Sequence, residues 1–328
     1  MGGRMSKLDD TEFPMVSCIT TTYRKFQYLY ETLESIFIQN YPNIELIIGD
    51  DGSENFPTGE IVQYIEKNKK DNIVKVIILH QEKNMGTVEN CRRCRAASSG
   101  TYIMGIASDD RFADPDVISD VVTFFKKTKA EIVTCKRRFL NSKTGKTMAL
   151  MPFPNQIKWM GTLDNKKIFE KMCSLGFISG CCTYYRRDLY ESVGGYDQGY
   201  RYIEDYPFFL KLLRQNKTIH FYDRVSIFYR FGEGISTSSN SKNKFRMQMY
   251  EDRIRYMEQE ILPYVDDMPW WRKEQMWVRE KRFLLEKESG ENKLQIYSKL
   301  FTYSPVGTMV QIYYQMSYQI KLRWMIKI

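Results

Sequence analysis

With 328 residues, of which 43% are hydrophobic and 27% charged, the chain has the composition of a folded protein, not of a largely disordered one. Its length corresponds to about two structural units, enough to bury a core without disulfides or a structural metal. An excess of 49 basic over 40 acidic side chains, a formal +9, favours anionic partners: a nucleotide, an acidic glycan, nucleic acid or an anionic membrane surface. Seven cysteines, an odd number, exclude a complete disulfide set and suggest a reducing compartment. The opening MGGRMSKLDDTEFP carries no apolar signal-peptide core. No apolar run reaches the roughly 18 residues of a membrane span. A cytoplasmic location is therefore expected.

Short apolar runs alternate with helical patterns from residue 16 to about 140. Val16–Thr20 reads as a buried strand, and Leu29, Leu33, Ile36 and Phe37 then recur at helical spacing. Ile44–Gly49 is a second strand, Gly59–Lys69 a helix with a basic end, and Ile73–Leu79 a third strand. Thr87–Ser98 is a helix closed by Gly100, followed by strand Tyr102–Ala107, helix Asp116–Lys127 and strand Glu131–Lys136. This alternation predicts an α/β fold with a mainly parallel sheet, whose ligands bind beyond the carboxyl ends of the strands. The loops after Thr20, Gly49, Leu79 and Ala107 should then converge on one cleft. Residues 141–240 read as loops with short helices at Lys166–Leu175 and Tyr206–Gln215, and residues 243–290 as charged helices. Ile312, Tyr314, Met316, Tyr318, Ile320, Leu322 and Trp324 alternate at period two, which fits an amphipathic strand, although short helices tolerate the same composition.

Three acidic pairs stand at predicted strand or helix ends. Asp50-Asp51-Gly52-Ser53 forms either a plain Asx turn or a turn whose carboxylate accepts from a base or ribose. Asp109 and Asp110 in Ser108-Asp109-Asp110 suit a hard divalent cation bridging a diphosphate, with helix capping left to Asp114. Glu204-Asp205 precedes an apolar helix, as either a cap or a general base.

Taken in order, these motifs resemble the inverting nucleotide-sugar glycosyltransferases of family 2, with the GT-A fold. The resemblance runs from Val16–Ile19 with Thr22-Tyr23, through Ser35, Ile36, Gln39 and Tyr41-Pro42-Asn43-Ile44-Glu45, to Asp50–Ser53 and Asn84-Met85-Gly86. It continues through Gly100–Ile103, Ser108–Asp110, Gly194-Gly195-Tyr196-Asp197, Glu204-Asp205 and Tyr229-Arg230 to Gly234-Ile235-Ser236. It covers about residues 14–238, which suggests a GT-A domain over 14–240 (nucleotide half 14–140, acceptor half 141–240) and a mostly helical extension over 241–328.

The resemblance implies roles. Thr21 and Tyr23 would touch base and ribose, Asp51 the base, most simply uracil of a UDP-sugar. Asp109 would hold ribose or sugar and contribute with Asp110 to Mn2+ or Mg2+ binding, and Asp205 would be the general base, with Glu204 and Arg230 beside it or the acceptor. The acceptor would be a cell-envelope glycan or a lipid-linked glycan. The chain departs from the pattern in three places. Thr21 replaces a Pro, and Arg24 replaces an Asn and would reach the diphosphate or cap the helix. Ala107 replaces an acid two residues before Asp109, and Phe231-Gly232-Glu233-Gly234 replaces a His-containing loop, where Glu233 would supply a metal oxygen.

Other signals carry less. Cys91 and Cys94 form a lone CxxC on a helix without a second pair at zinc spacing, and Cys181-Cys182 reads as buried. No dinucleotide-binding glycine pattern follows a strand, and nothing resembles a nucleic-acid module, so no nucleic-acid partner is expected. Lys321, Arg323 and Lys327 among Trp324, Met325, Ile326 and Ile328 either dock over the core or contact an anionic membrane at the inner face of the plasma membrane. Two rival readings share the fold: a sugar-phosphate nucleotidyltransferase and a non-catalytic binding protein. The first normally needs a glycine-rich loop that Thr20–Phe26 lacks; the second should have lost one of the acidic sites.

Overall fold

The structure is a computed structural model describing residues 12–142, 144–231, 243–288 and 292–326. Its first half runs β1 (Val16–Thr22), α1 (Leu29–Phe37), β2 (Ile44–Asp50), α2 (Thr58–Asn68), β3 (Ile73–His80), α3 (Thr87–Ala97) and β4 (Tyr102–Ala107). There follow β5 (Arg111–Phe112), α4 (Val117–Thr128), β6 (Ile132–Asn141), β7 (Thr147–Met151), α5 (Pro154–Thr162) and α6 (Asn165–Ser174). The rest comprises β8 (Thr183–Arg186), α7 (Arg187–Ser192), α8 (Asp205–Arg214), β9 (His220–Phe231), α9 (Asn243–Tyr256), α10 (Trp270–Glu288), α11 (Lys293–Tyr303) and α12 (Pro305–Ile326).

The sheet order is β3-β2-β1-β4-β8-β6-β9-β5, with β7 on β6. β3, β2, β1 and β4 are parallel, β8 runs antiparallel to both neighbours, and β6 and β9 are parallel again. This is the GT-A arrangement, a parallel half joined to a mixed half.

Both faces of the sheet are covered, which is why its strands are almost continuously apolar. Val16, Cys18, Leu46, Ile48, Met104 and Ile106 point to one face, under α1, α2 and α4. Leu29, Leu33, Ile36 and Phe37 of α1 are all fully buried there, as their i, i+4, i+7, i+8 spacing requires. Ile19, Ile47 and Ile103 point to the other face, under α3, α6, α8, α9 and α10.

Two expectations change. Residues 141–240 are not mainly loop: β7, α5, β8 and β9 lie there. Their signal was weak because edge and antiparallel strands are short or half-buried, as the partly exposed pattern of β9 shows. The period-two segment at 312–324 is helical, the second half of α12. Close packing decided this: Gly307 brings α12 against α10 so tightly that a Cβ there would lie 2.6 Å from the Glu274 carbonyl oxygen.

Candidate active site

Register brings three motifs to one level. Thr21 of β1 lies beside Gly49 of β2 and Ala107 of β4, and Thr22 lies beside Asp50. The Asp50 carboxylate, wholly buried, accepts from the Ser53 N–H (2.7 Å) and hydroxyl (2.6 Å) and pairs with His80 Nδ1 at 2.9 Å. This is the Asx turn. Gly52 serves it with φ +75°, where a Cβ would lie 2.3 Å from the Lys83 carbonyl carbon.

Asp51 points the other way. Its carboxylate accepts from Asn84 Nδ2 (2.6 Å), the Met85 N–H (2.8 Å), the Gly86 N–H (2.9 Å) and Gln81 Nε2 (3.1 Å). Burial raises its pKa, against the pull of those N–H groups and of Arg201. Asp51 therefore shapes the Asn84–Gly86 loop. Arg201 seals that loop from outside, donating to the Asn84 carbonyl (3.0 Å) and side-chain oxygen (2.8 Å). Thr21 is half-buried at the same rim. The Arg24 guanidinium lies 5.1 Å over the Tyr23 ring, and the Arg24 backbone N–H donates to Ser53 Oγ. Arg24 does not cap α1, whose cap position is Tyr28.

The acids after β4 divide. Asp109 is half-buried, whereas Asp110 is 2% exposed. Asp110 Oδ1 accepts from the Arg230 N–H at 2.9 Å, and its buried Oδ2 has no hydrogen-bond partner. Burial, with Cys181 and Asp109 nearby, pushes its pKa well above the carboxylate range. Arg230 of β9 clamps the turn: Nε donates to the Asp109 carbonyl (3.0 Å), Nη2 pairs with Glu31 (2.8 Å), and the guanidinium sits 3.7 Å over the Tyr28 ring. Asp114 is not the helix cap; it pairs with Arg224 and accepts from the Asp116 N–H.

Asp205 opens α8. Its Oδ1 accepts from the Tyr206 N–H (2.7 Å) and its Oδ2 from the Gly180 N–H (2.8 Å). A Cβ on Gly180 would lie 2.9 Å from Asp205 Oδ2, so only glycine permits this approach. Burial raises the Asp205 pKa, while the two N–H donors and Arg137 hold it back. Burial and neighbouring Asp205 push Glu204 up to about 8.

Sequence reasoning passed over Arg137. It projects from β6 with its guanidinium 4.9 Å over the Tyr229 ring, and donates to Ser179 Oγ and, at 3.6 Å, to Cys181 Sγ. Among the described residues no carboxylate lies within ion-pair distance of it, yet its charge acts on both Asp110 and Asp205. Cys181 is not buried as expected but half-exposed beside it; the Cys182 thiol and Arg137 hold its pKa down to about 6. The one clue was the run Lys136-Arg137-Arg138 inside an otherwise apolar strand. Cys91 and Cys94 are core residues of α3. Glu233 and Gly234–Ser236 lie outside the described residues.

Two adjacent carboxylates with one unpartnered oxygen fit a hard cation that takes its remaining ligands from phosphate and water. Among the described residues no cluster of three or more His, Cys, Asp or Glu side chains is placed to hold a metal ion.

A parallel half with paired acids at its strand ends, joined to a mixed half with a buried carboxylate at the start of α8, is an arrangement of the GT-A class. The model of the family "Glycosyl transferase family 2" matches residues 17–194, and the chain belongs to that family. A glycosyltransferase of Haemophilus influenzae is 27% identical over 251 residues, 74% of either chain. The glucosyl-dolichyl phosphate glucuronosyltransferase of Haloferax volcanii is 26% identical over 188 residues, 56% of either chain. Residues 1–349 of S. aureus TarS, in complex with UDP-GlcNAc, superpose with TM-score 0.53 at 14% identity, covering 94% of this chain and 92% of that one. The mannosyltransferase PcManGT of Pyrobaculum calidifontis, in complex with GDP-Man and Mn2+, gives TM-score 0.55 at 14% identity, covering 96% and 88%. The chain is a glycosyltransferase enzyme of this family, and no helix among its described residues is long and apolar enough to cross a membrane.

Proposed function

We propose that the enzyme transfers a sugar from a nucleoside-diphosphate donor, a UDP-sugar, to a hydroxyl of a cell-envelope or lipid-linked glycan, with inversion at the anomeric carbon. The observation that carries the reading is Asp205, a carboxylate held by two backbone N–H groups and raised in basicity by burial, electrostatically linked through Arg137 to the acids after β4. Asp205 takes the proton of the acceptor hydroxyl as its oxygen forms the bond to sugar C1. The bond from C1 to the diphosphate oxygen breaks with its electron pair going to the leaving group, and a single displacement inverts the centre. Arg137, which has no carboxylate partner among the described residues, supports the negative charge that gathers on the diphosphate. Asp51 and Arg201 keep the Asn84–Gly86 loop in shape for the base, and Arg230 holds the Asp109 backbone. Mn2+ or Mg2+, held by Asp109 and Asp110, would neutralise diphosphate charge when bound.

A calorimetric titration tests the donor half. UDP, GDP, CDP and dTDP are added with and without Mn2+ to the wild type and to Asp110→Ala. Metal-dependent UDP binding that the variant loses is the expected result. Binding of another nucleotide instead would reassign the base, and absence of any nucleotide binding would sink the proposal.

A further inference from the structure

Helix α12 is built inside out. Its protein-facing side is small and polar: Ser304, Thr308 and Gln311 are at most 5% exposed, and Gly307 is buried against α10. Gln311 accepts from Gln275 Nε2, and Gln315 accepts from the Tyr297 hydroxyl. Its outward side is apolar. Val306, Met309, Tyr313, Met316 and Ile320 are 39%, 61%, 67%, 57% and 62% exposed. Their 3-4-3-4 spacing places them within an arc of about 80° at 3.6 residues per turn, opposite the buried polar side. A helix facing water carries the reverse pattern.

Charge indicates what covers the stripe. From Asn292 to Ile328 there is no Asp or Glu, but there are five cations: Lys293, Lys299, Lys321, Arg323 and Lys327. Two copies of such a surface would bring like charges together, whereas an anionic bilayer complements both the stripe and the cations. We propose that the outward stripe of α12 lies in the interface of an anionic membrane, with the basic residues of α11 on the headgroups. The helix also joins the catalytic half. Tyr318 packs on Phe139, Met151 and Phe153, and Phe139 lies two residues beyond Arg137 on β6. On the functional reading above, a lipid-linked acceptor would then be presented beside the site; the membrane contact itself does not depend on that reading.

Co-sedimentation tests it with vesicles of phosphatidylcholine alone and of phosphatidylcholine and phosphatidylglycerol in equal parts. The wild type should bind only the anionic vesicles. Combined Met309→Ser, Tyr313→Ser, Met316→Ser and Ile320→Ser should weaken that binding at least tenfold. Because these positions face outward, the melting temperature should stay near the wild-type value. A second variant, Lys293→Glu with Lys299→Glu, keeps the stripe and should lose about fivefold per charge, as added salt also should. The proposal is overturned by equal binding to both vesicle types, or by serine and glutamate variants that bind like the wild type. It is also overturned if the wild type ignores vesicles but sediments as a dimer that the serine variant dissociates, which would make the stripe a contact between copies.

Discussion

Asp205 gathers its function from neighbours that are remote in sequence. Gly180 donates to it from 25 residues away, and Arg137 sits on another strand. On the proposed function, Asp205→Asn removes the base and one of its two backbone hydrogen bonds, so kcat should fall by about 10²–10⁴-fold while donor affinity changes little, read from steady-state rates and a parallel donor titration. Arg137 lowers the pKa of Asp205 from nearby. Arg137→Gln should therefore raise that pKa and move the acid limb of the kcat/KM profile to higher pH. It should also reduce kcat by about 10²-fold, as loss of one donor to a developing anion does elsewhere. A merely structural Arg137 would lower the rate without moving the limb. At this scale the acidic pairs were legible because each is a local motif of adjacent residues at the end of a periodic segment. Arg137, Ser179 and Gly180 were not, because their meaning lies in which carboxylate they face.

Between elements, polar side chains at a few crossings fix the geometry. Glu45 of β2 is wholly buried and accepts from Ser17 of β1 (2.6 Å), Lys75 of β3 (2.6 Å) and both the N–H and hydroxyl of Ser99 (2.7 Å each). Burial alone would raise its pKa, but Lys75, Ser17 and Ser99 outweigh it and hold the group at about 2. The folded state thus binds the proton less tightly than the unfolded chain. The stabilisation is present above the ordinary carboxylate range and is lost as pH falls towards about 2. Glu45→Gln should cost about 1–3 kcal/mol at neutral pH and flatten the acid side of the melting-temperature profile, measured by calorimetry. A second crossing serves the site directly. Asp252 of α9 accepts from the N–H groups of Arg201, Tyr202 and Ile203, the segment that leads into Glu204-Asp205. Helix α9 was legible as a helix, yet no periodicity could say that it holds the catalytic loop.

Across the whole molecule, the C-terminal helices share the transferase core. Tyr250, Ile254, Met257, Ile261, Met276 and Phe283 lie in one apolar cluster with Phe209, Leu212 and Met172. A chain ending at Asn240 should therefore lose its near-ultraviolet circular dichroism and its cooperative melt. A chain ending at Glu288 lacks only α11 and α12 and should melt cooperatively at a lower temperature, because Val278 loses its cover of Ile296 and Leu300. The amino-acid sequence by itself determined the α/β alternation, the parallel nucleotide half and the three acidic motifs. Those signals are local: side-chain periodicity and turn chemistry within a few residues. Only the tertiary structure decided that β7, β8 and β9 complete the sheet, that α12 is a helix with its polar side inward, and that Arg137 stands near Asp110 and Asp205. Each of those depends on what a segment packs against, and packing partners far apart in the chain leave no periodic trace in it.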